Sequence, residues 1–261
     1  MNILLITDIH YGEDTNYPNH KGEEYVNSFG SRAEDLLRGM RPEIDRMDLV
    51  VNLGDLIHDE SADKDRNRYV AAMGLLGESG HVRHVLGNHD IWNISREEWC
   101  GMVGESGSYY SFDAGGYHHV VLDGNRLESR PAMLGPFAID ESQLKWLSAD
   151  LNRTDLRTIV YCHFPMHEQG LEKSYYFEKR PENASLRNKE EVKAILEDSG
   201  KVIAVFGGHT HFFGEEMKNG IHYVTIPSFS ENDGCHRPQA QYAIAILSGD
   251  EMEMKTYIAK L

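Results

Sequence analysis

Cysteine is scarce in this chain of 261 residues: only Cys100, Cys162 and Cys235 are present, with no close pair among them. An odd number at irregular spacing excludes a disulfide framework, and a reducing, cytoplasmic compartment is expected. Long apolar runs are missing too. Nothing approaches the roughly 18 consecutive apolar residues a membrane-spanning helix needs, so no membrane partner is expected. The opening MNILLITD soon reaches an aspartate, with no basic lead-in and no small-residue cleavage site, so no secretory leader is expected either. Positive charge is in deficit, with 26 Lys and Arg against 42 Asp and Glu and a formal net charge of −16. Such a surface repels a polyanion at long range, which argues against an extended nucleic-acid partner. A small phosphate substrate is still admissible where positive charge is concentrated locally, and bound metal ions would do that. No internal repeat or low-complexity linker divides the chain. Residues 1–261 are therefore expected to form a single domain, and no feature specifies an oligomeric state.

What is present reads as alternating strands and helices. Short runs rich in Val, Ile and Leu (NILLIT, DLVVNL, VRHVL, HHVVL, TIVYC, KVIAVF, IHYVTI, QYAIAIL and EMKTYI) have the length and composition of buried strands. Ser31 with Glu34, Ser95 with Glu98, and Asn188 with Glu191 stand in capping-box spacing. Asp140 is placed to cap ESQLKWLSADL, and Gly200 falls just past EVKAILEDS, where a left-handed residue is wanted. Pro42 makes the stretch from Ser31 to Met47 two helices or one kinked helix. The alternation predicts an α/β layered domain, with the late strands forming a more antiparallel set. Two long polar stretches, 10–30 and 164–188, do not fit it, and long loops of this kind in compact domains are usually functional or disordered.

The ends of the apolar runs carry the chemistry. NILLIT leads into Asp8-Ile9-His10, VVNL into Gly54-Asp55, and RHVL into Gly87-Asn88-His89-Asp90. IVYC leads into His163, and IAVF into Gly207-Gly208-His209-Thr210-His211. Taken singly, each motif admits a plain structural reading as a turn or a satisfied core histidine. Together they deliver imidazole, carboxylate and amide oxygen to five strand ends, where α/β sheets place their ligand sites. That donor set, free of thiolate, suits divalent metals such as Mn, Fe or Zn and not a Cys-based structural zinc site.

The ordered blocks D-x-H, G-D, G-N-H-D, C-H-x-P and G-H-T-H resemble the calcineurin-like metallophosphoesterase superfamily. The resemblance implies a four-layer α/β/β/α sandwich of two mixed sheets, with two divalent metal ions at the strand C-terminal ends. Carried over position by position, one metal would take Asp8, His10, Asp55 and His211. The other would take Asp55, Asn88, His163 and His209, with Asp55 bridging. His89 would contact the substrate phosphate or protonate the leaving group, and Asp90 would orient His89. The implied activity is hydrolysis of a phosphate ester or anhydride by a metal-bridging hydroxide, leaning to a small phosphodiester or nucleotide pyrophosphate. Two divalent ions bring +4, while Asp8, Asp55 and the hydroxide return −3, leaving about one positive charge for the phosphate.

Two other readings accompany this one: a phosphomonoesterase with the same site, and a catalytically silent protein-binding scaffold. Scaffold relatives typically have eroded ligands, whereas every ligand position is filled here. Phosphoprotein phosphatases generally carry an arginine soon after the bridging aspartate, and Asp55 is followed instead by LIHDES. Tyr175, Tyr176, Phe177 and Arg180 could stack a nucleobase and pair a phosphate, with Lys173 and Lys179 nearby; they could equally pin a loop. His58 could approach the metal edge, although a loop role is the plainer reading. His118, His119 and His222 lie in strand patterns and are expected to be structural. Cys162 is expected to face away from the site and pack as a small apolar group.

Overall fold

Period-two alternation along the apolar runs decides the layering. In a computed structural model the backbone is described for residues 1–18, 24–77, 81–125, 137–172, 174–231 and 237–259, without side chains at 17, 18, 24–27 and 175. The strands are β1 (Asn2–Ile6), β2 (Thr15–Pro18), β3 (Glu24–Ser28), β4 (Leu49–Asn52), β5 (Val82–His84), β6 (Tyr110–Ala114) and β7 (Tyr117–Leu122). They continue with β8 (Thr158–Cys162), β9 (Val202–Gly207), β10 (Gly214–Lys218), β11 (Ile221–Thr225), β12 (Ala240–Ser248) and β13 (Glu251–Ala259). The helices are α1 (Ala33–Ile44), α2 (Ala62–Leu76), α3 (Arg96–Val103), α4 (Glu141–Arg153), α5 (Tyr175–Lys179) and α6 (Lys189–Ser199).

One sheet has the order β13-β12-β1-β4-β5 and a second β10-β11-β9-β8-β7-β6; β2 and β3 pair separately. Both large sheets are mixed. β1 is parallel to β4 and antiparallel to β12, while β8 is parallel to β7 and β9 and β10 is antiparallel to β11. Ile3, Leu5, Leu49 and Val51 point into a core shared with Ile159, Tyr161, Phe206 and Val224 of the other sheet. Leu4, Ile6 and Val50, one residue out of phase, pack instead against Leu36, Leu37 and Met40 of α1 and Tyr69 and Ala72 of α2. Val120, Val160 and Val205 do the same against Leu144 and Leu147 of α4 and Val192 and Leu196 of α6. This is the expected α/β/β/α sandwich. Cys162 lies in that outer apolar layer.

Local expectations fare unevenly. Ser95 caps α3 by accepting from Glu98 N, Asp140 caps α4 by accepting from Gln143 N, and Gly200 ends α6 at φ 64°. The Ser31–Glu34 box does not form, because a 3-10 turn over Gly30–Arg32 precedes α1 and Arg32 takes the cap position. At α6 the Asn188 side chain instead ties down Ile139, accepting from its N–H at 3.1 Å and donating to its carbonyl at 2.9 Å. Pro42 sits inside α1 without dividing it, near the C-terminal end. The stretch 10–30 is not irregular throughout, since it holds the β2–β3 pair. The stretch 164–188 contains α5 and a 3-10 turn at Pro181–Asn183. No helix among the described residues is long and apolar enough to cross a membrane.

Candidate metal centre

The strand-end loops leave the sheets in conformations that L-residues normally avoid. Among the described residues six non-glycine residues have positive φ, and five are predicted ligands: Asp8 (50°), His10 (45°), Asp55 (51°), His209 (71°) and His211 (69°). Each lies in the sparsely populated left-handed region, which persists only where surrounding structure enforces it. Close backbone packing does so here. Asp8 N donates to Gly54 O and His10 N to Asp55 O, both at 3.0 Å, and Gly208 N donates to His163 O at 2.8 Å. Glycine is required where these loops touch. A Cβ on Gly87 would lie 2.2 Å from Asp55 N and Oδ1, and one on Gly208 would lie 2.0 Å from Thr7 Oγ1.

These turns bring the predicted side chains together. Asp8, His10 and His211 form one group and Asp55, His163 and His209 another, with donor atoms within 4.8 Å of one another in each. Asp8 Oδ1 lies 3.3 Å from His211 Nε2, and Asp55 Oδ2 lies 3.2 Å from His163 Nε2. His10 Nε2 stands between the groups, 3.8 Å from Asp8 Oδ1 and 3.9 Å from Asp55 Oδ2. Three imidazoles are fixed from behind. His163 Nδ1 donates to Leu53 O at 2.9 Å, His209 Nε2 to Asn183 O at 2.8 Å, and His211 Nδ1 pairs with Glu231 Oε1 at 3.0 Å. In each ring the other nitrogen turns toward the cluster, where His211 Nε2 also meets His10 Nε2 at 3.2 Å, and ligating histidines are usually held from behind in this way. Phe137, Phe164 and Phe177 surround His209, with ring centroids 5.1, 4.7 and 5.0 Å away.

The residues present fit a pair of divalent cations. Asp8 Oδ1, Asn88 Oδ1 and His163 Nε2 are buried yet lack a hydrogen-bond partner among the described residues. Such orphans are costly unless another ligand satisfies them. The donors are oxygen and imidazole nitrogen, as such metals require. The electrostatics agree. Burial opposes charge at Asp8, but His211 and His163 hold its carboxyl below the usual range. Burial likewise opposes charge at Asp55, and His163 and His89 outweigh it. Burial, reinforced by the charge of His163, pushes His209 down to about 3 and keeps its imidazole neutral, the form a metal would need.

His89 and Asp90 behave differently from each other. Burial disfavours charge on His89, but Asp55 and then Asp59 raise its proton affinity. Its partner is Asp59, whose Oδ1 hydrogen-bonds His89 Nδ1. The expected Asp90 prop is thus replaced. Asp90 instead accepts backbone N–H bonds from Gly87 (2.9 Å), Asp55 (3.0 Å), Leu56 (2.9 Å) and Ile57 (3.4 Å), stapling the two metal loops together. Burial and the Asp55 charge push its carboxyl up to about 7. His58 comes to the site after all, its ring 5.6 Å from His89 and 5.9 Å from His10.

On the 164–188 stretch, Phe177 is buried against His209, while Tyr176 hydrogen-bonds Asn183 Nδ2 at 3.2 Å and Arg180 lies 5.0 Å over its ring. The side chain of Tyr175 and all of Lys173 fall outside the described residues. His118 bridges Asp113 and Asp150, His119 stacks on Phe112 and Tyr161, and His222 faces Glu215, all away from the metal loops. Sequence reasoning missed Asp59, Glu231 and Asn183, and no motif marked them.

Fold and site together define a class: metal-dependent hydrolases of phosphate esters, with places for two divalent ions between two mixed sheets. The sequence model of the calcineurin-like phosphoesterases matches residues 1–213, and this chain belongs to that family. Two curated relatives are manganese-dependent ADP-ribose/CDP-alcohol diphosphatases. The one from Arabidopsis thaliana is 27% identical over 231 aligned positions, covering 70% of this chain and 71% of its own. The one from Danio rerio is 24% identical over 318 aligned positions, covering 96% and 93%. Among solved structures, a dimetal phosphatase from Danio rerio superposes with a TM-score of 0.75 at 22% identity, over 98% of this chain and 95% of the other. A purple acid phosphatase from yellow lupin gives 0.61 at 10% identity, over 99% of this chain and 51% of the other.

Proposed function

We propose that this phosphoesterase hydrolyses the pyrophosphate bond of a small nucleoside diphosphate conjugate, of the ADP-ribose or CDP-alcohol kind, with manganese at both metal positions. The observation that carries the chemistry is the convergence of Asp8, His10, Asp55, His163, His209 and His211, with three buried donor atoms unsatisfied, Asn88 Oδ1 among them. The substrate class is supported by the two relatives, whose similarity runs over most of both chains.

Two divalent ions bound there supply a water of lowered pKa and offset the charge of the phosphoryl oxygens. The chain's own residues do the rest. Asp55 touches both groups, so it holds the two positions in register. Its Oδ1 also accepts from His89 N at 2.8 Å, which fixes the backbone of the histidine that works on substrate. His89, whose proton affinity Asp55 and Asp59 raise against the cost of burial, faces the site with 15% of its side chain exposed. From there it donates a proton or hydrogen bond to the departing phosphate oxygen. Tyr176 and Arg180 form a rim on the His209 side, where the guanidinium meets a second phosphate or its substituent.

The test is a panel of nucleoside diphosphate conjugates, monoesters and nitrophenyl diesters, assayed with Mn²⁺ after chelator stripping. The conjugates should give the highest kcat/KM. Arg180→Ala and Tyr176→Ala should mainly raise KM for them, by about tenfold, and leave the nitrophenyl ester unchanged. A preference for monoesters would defeat the pyrophosphate reading.

A further inference from the structure

Beside the metal loops the sandwich opens into a cavity of about 370 Å³ lined in part by His211 and Glu231. Its walls come from the turn after β9, Phe212 and Phe213, and from β12 and β13, through Gln241, Thr256 and Ile258. These strand residues continue the face that buries Ala243 and packs Met254 between the sheets, two and four positions further along the alternation. The cavity therefore lies at the open end of the inter-sheet face and shares His211 with the candidate metal centre. Its lining mixes polar and apolar groups, with the exposed hydrophobic side chains gathered on one part of the wall. Of five large hydrophobic residues exposed among the described residues, Phe213 (40%), Tyr257 (37%) and Ile258 (58%) all line it. None of its described lining residues is a lysine or arginine, and Glu231 adds a carboxylate to the wall. A phosphate would be repelled there. A flat, neutral ring would bury the apolar wall and find both a donor and an acceptor in the Gln241 amide.

We infer that this cavity is the nucleobase subsite of the enzyme, with Phe213 as the stacking surface and Gln241 as the polar contact to the base edge. The assignment rests on the nucleoside diphosphate reading above and deepens it. The base sits beyond His211, and the remaining substituent points toward the Tyr176–Arg180 rim on the His209 side. Volume is consistent, since pockets for small ligands begin at roughly 300 Å³.

The experiment measures inhibition of nitrophenyl diester hydrolysis by two probes, AMP and ribose 5-phosphate, which share a phosphate and a sugar but not a base. Equilibrium binding of AMP to the chelated protein supplies a readout apart from turnover. Wild type should prefer AMP. Phe213→Ala and, as a second exposed-site variant, Ile258→Ser should each weaken AMP by about tenfold or more while leaving ribose 5-phosphate and diester turnover unchanged. Equal inhibition constants for AMP in wild type and both variants would overturn the subsite, as would parallel loss of both probes. A wild type that hydrolyses the diester but ignores every nucleoside conjugate and AMP alike would defeat the substrate reading itself. A wild type that cleaves conjugates and binds AMP independently of Phe213 and Ile258 would defeat only the location of the base.

Discussion

His89 and Asp90 are neighbours in sequence, yet they do separate work. His89 points at the site and pairs with Asp59; Asp90 turns away and closes two loops through four backbone N–H groups. His89→Ala should keep both metals and lose about 10²–10⁴ in rate on a conjugate, less on a nitrophenyl ester whose leaving group scarcely needs a proton. Asp59→Asn should retain metal and lose less than His89→Ala. Loss of metal in His89→Ala would instead make it a ligand. Asp90→Asn replaces one acceptor oxygen with an NH₂ facing backbone N–H groups. Metal should be lost and stability lowered by about 2–4 kcal/mol, because buried donors are left unmatched. A fully stable, metal-loaded Asp90→Asn protein with only slower turnover would return Asp90 to the orienting role. The residues that converge at the candidate site stand out in the sequence because each follows an apolar strand directly. Asp59, Glu231 and Asn183 were not, because their partners lie 30, 20 and 26 residues away and only the folded loops bring them together.

At the scale of elements, strands with both faces buried were readable from composition, whereas the β2–β3 pair was hidden in a polar stretch. It belongs to neither large sheet, so no apolar alternation marks it. The Ser31 cap failed for a related reason: spacing alone cannot distinguish a 3-10 turn from the first turn of a helix. The histidines of β5 and β7 carry a consequence for stability. Burial, then the Arg83 charge, pushes His84 down to about 4. Burial pushes His119 down to about 4 as well, against the hydrogen bond to the Ala114 carbonyl. Both are neutral when folded and have an ordinary value of about 6.5 when unfolded. Above that pH neither state binds the proton and stability is unaffected. Between about 6.5 and 4 the unfolded chain takes up protons that the fold refuses. Stability therefore falls with pH, by up to about 3 kcal/mol per histidine. Urea midpoints in chelator should decline from pH 7 to pH 5, and His119→Gln should show a shallower decline. An identical slope in the variant would show that His119 titrates freely in the fold.

For the whole molecule, the negative balance of charge and the phosphate chemistry are reconciled by location. With a formal charge of −16, local positive charge for a phosphate would come from bound divalent ions, with the Arg180 guanidinium held over Tyr176 as a further candidate. The first and last strands described lie in one sheet, where β1 pairs with β12 and β12 with β13. Loops carrying Asp8 and His10 therefore share a wall with the cavity formed by β12 and β13. Asp55 is central because it faces both groups of ligands and its backbone is fixed by Asp90 and His10. The most direct measurement is metal content per chain, taken with activity before and after chelation, on wild type and Asp55→Asn. Two divalent ions per active wild-type chain, loss of activity on stripping, recovery with Mn²⁺, and loss of both ions in Asp55→Asn are expected. Full activity with one ion or none, or an Asp55→Asn protein that keeps both ions and turns over normally, would contradict the dinuclear assignment.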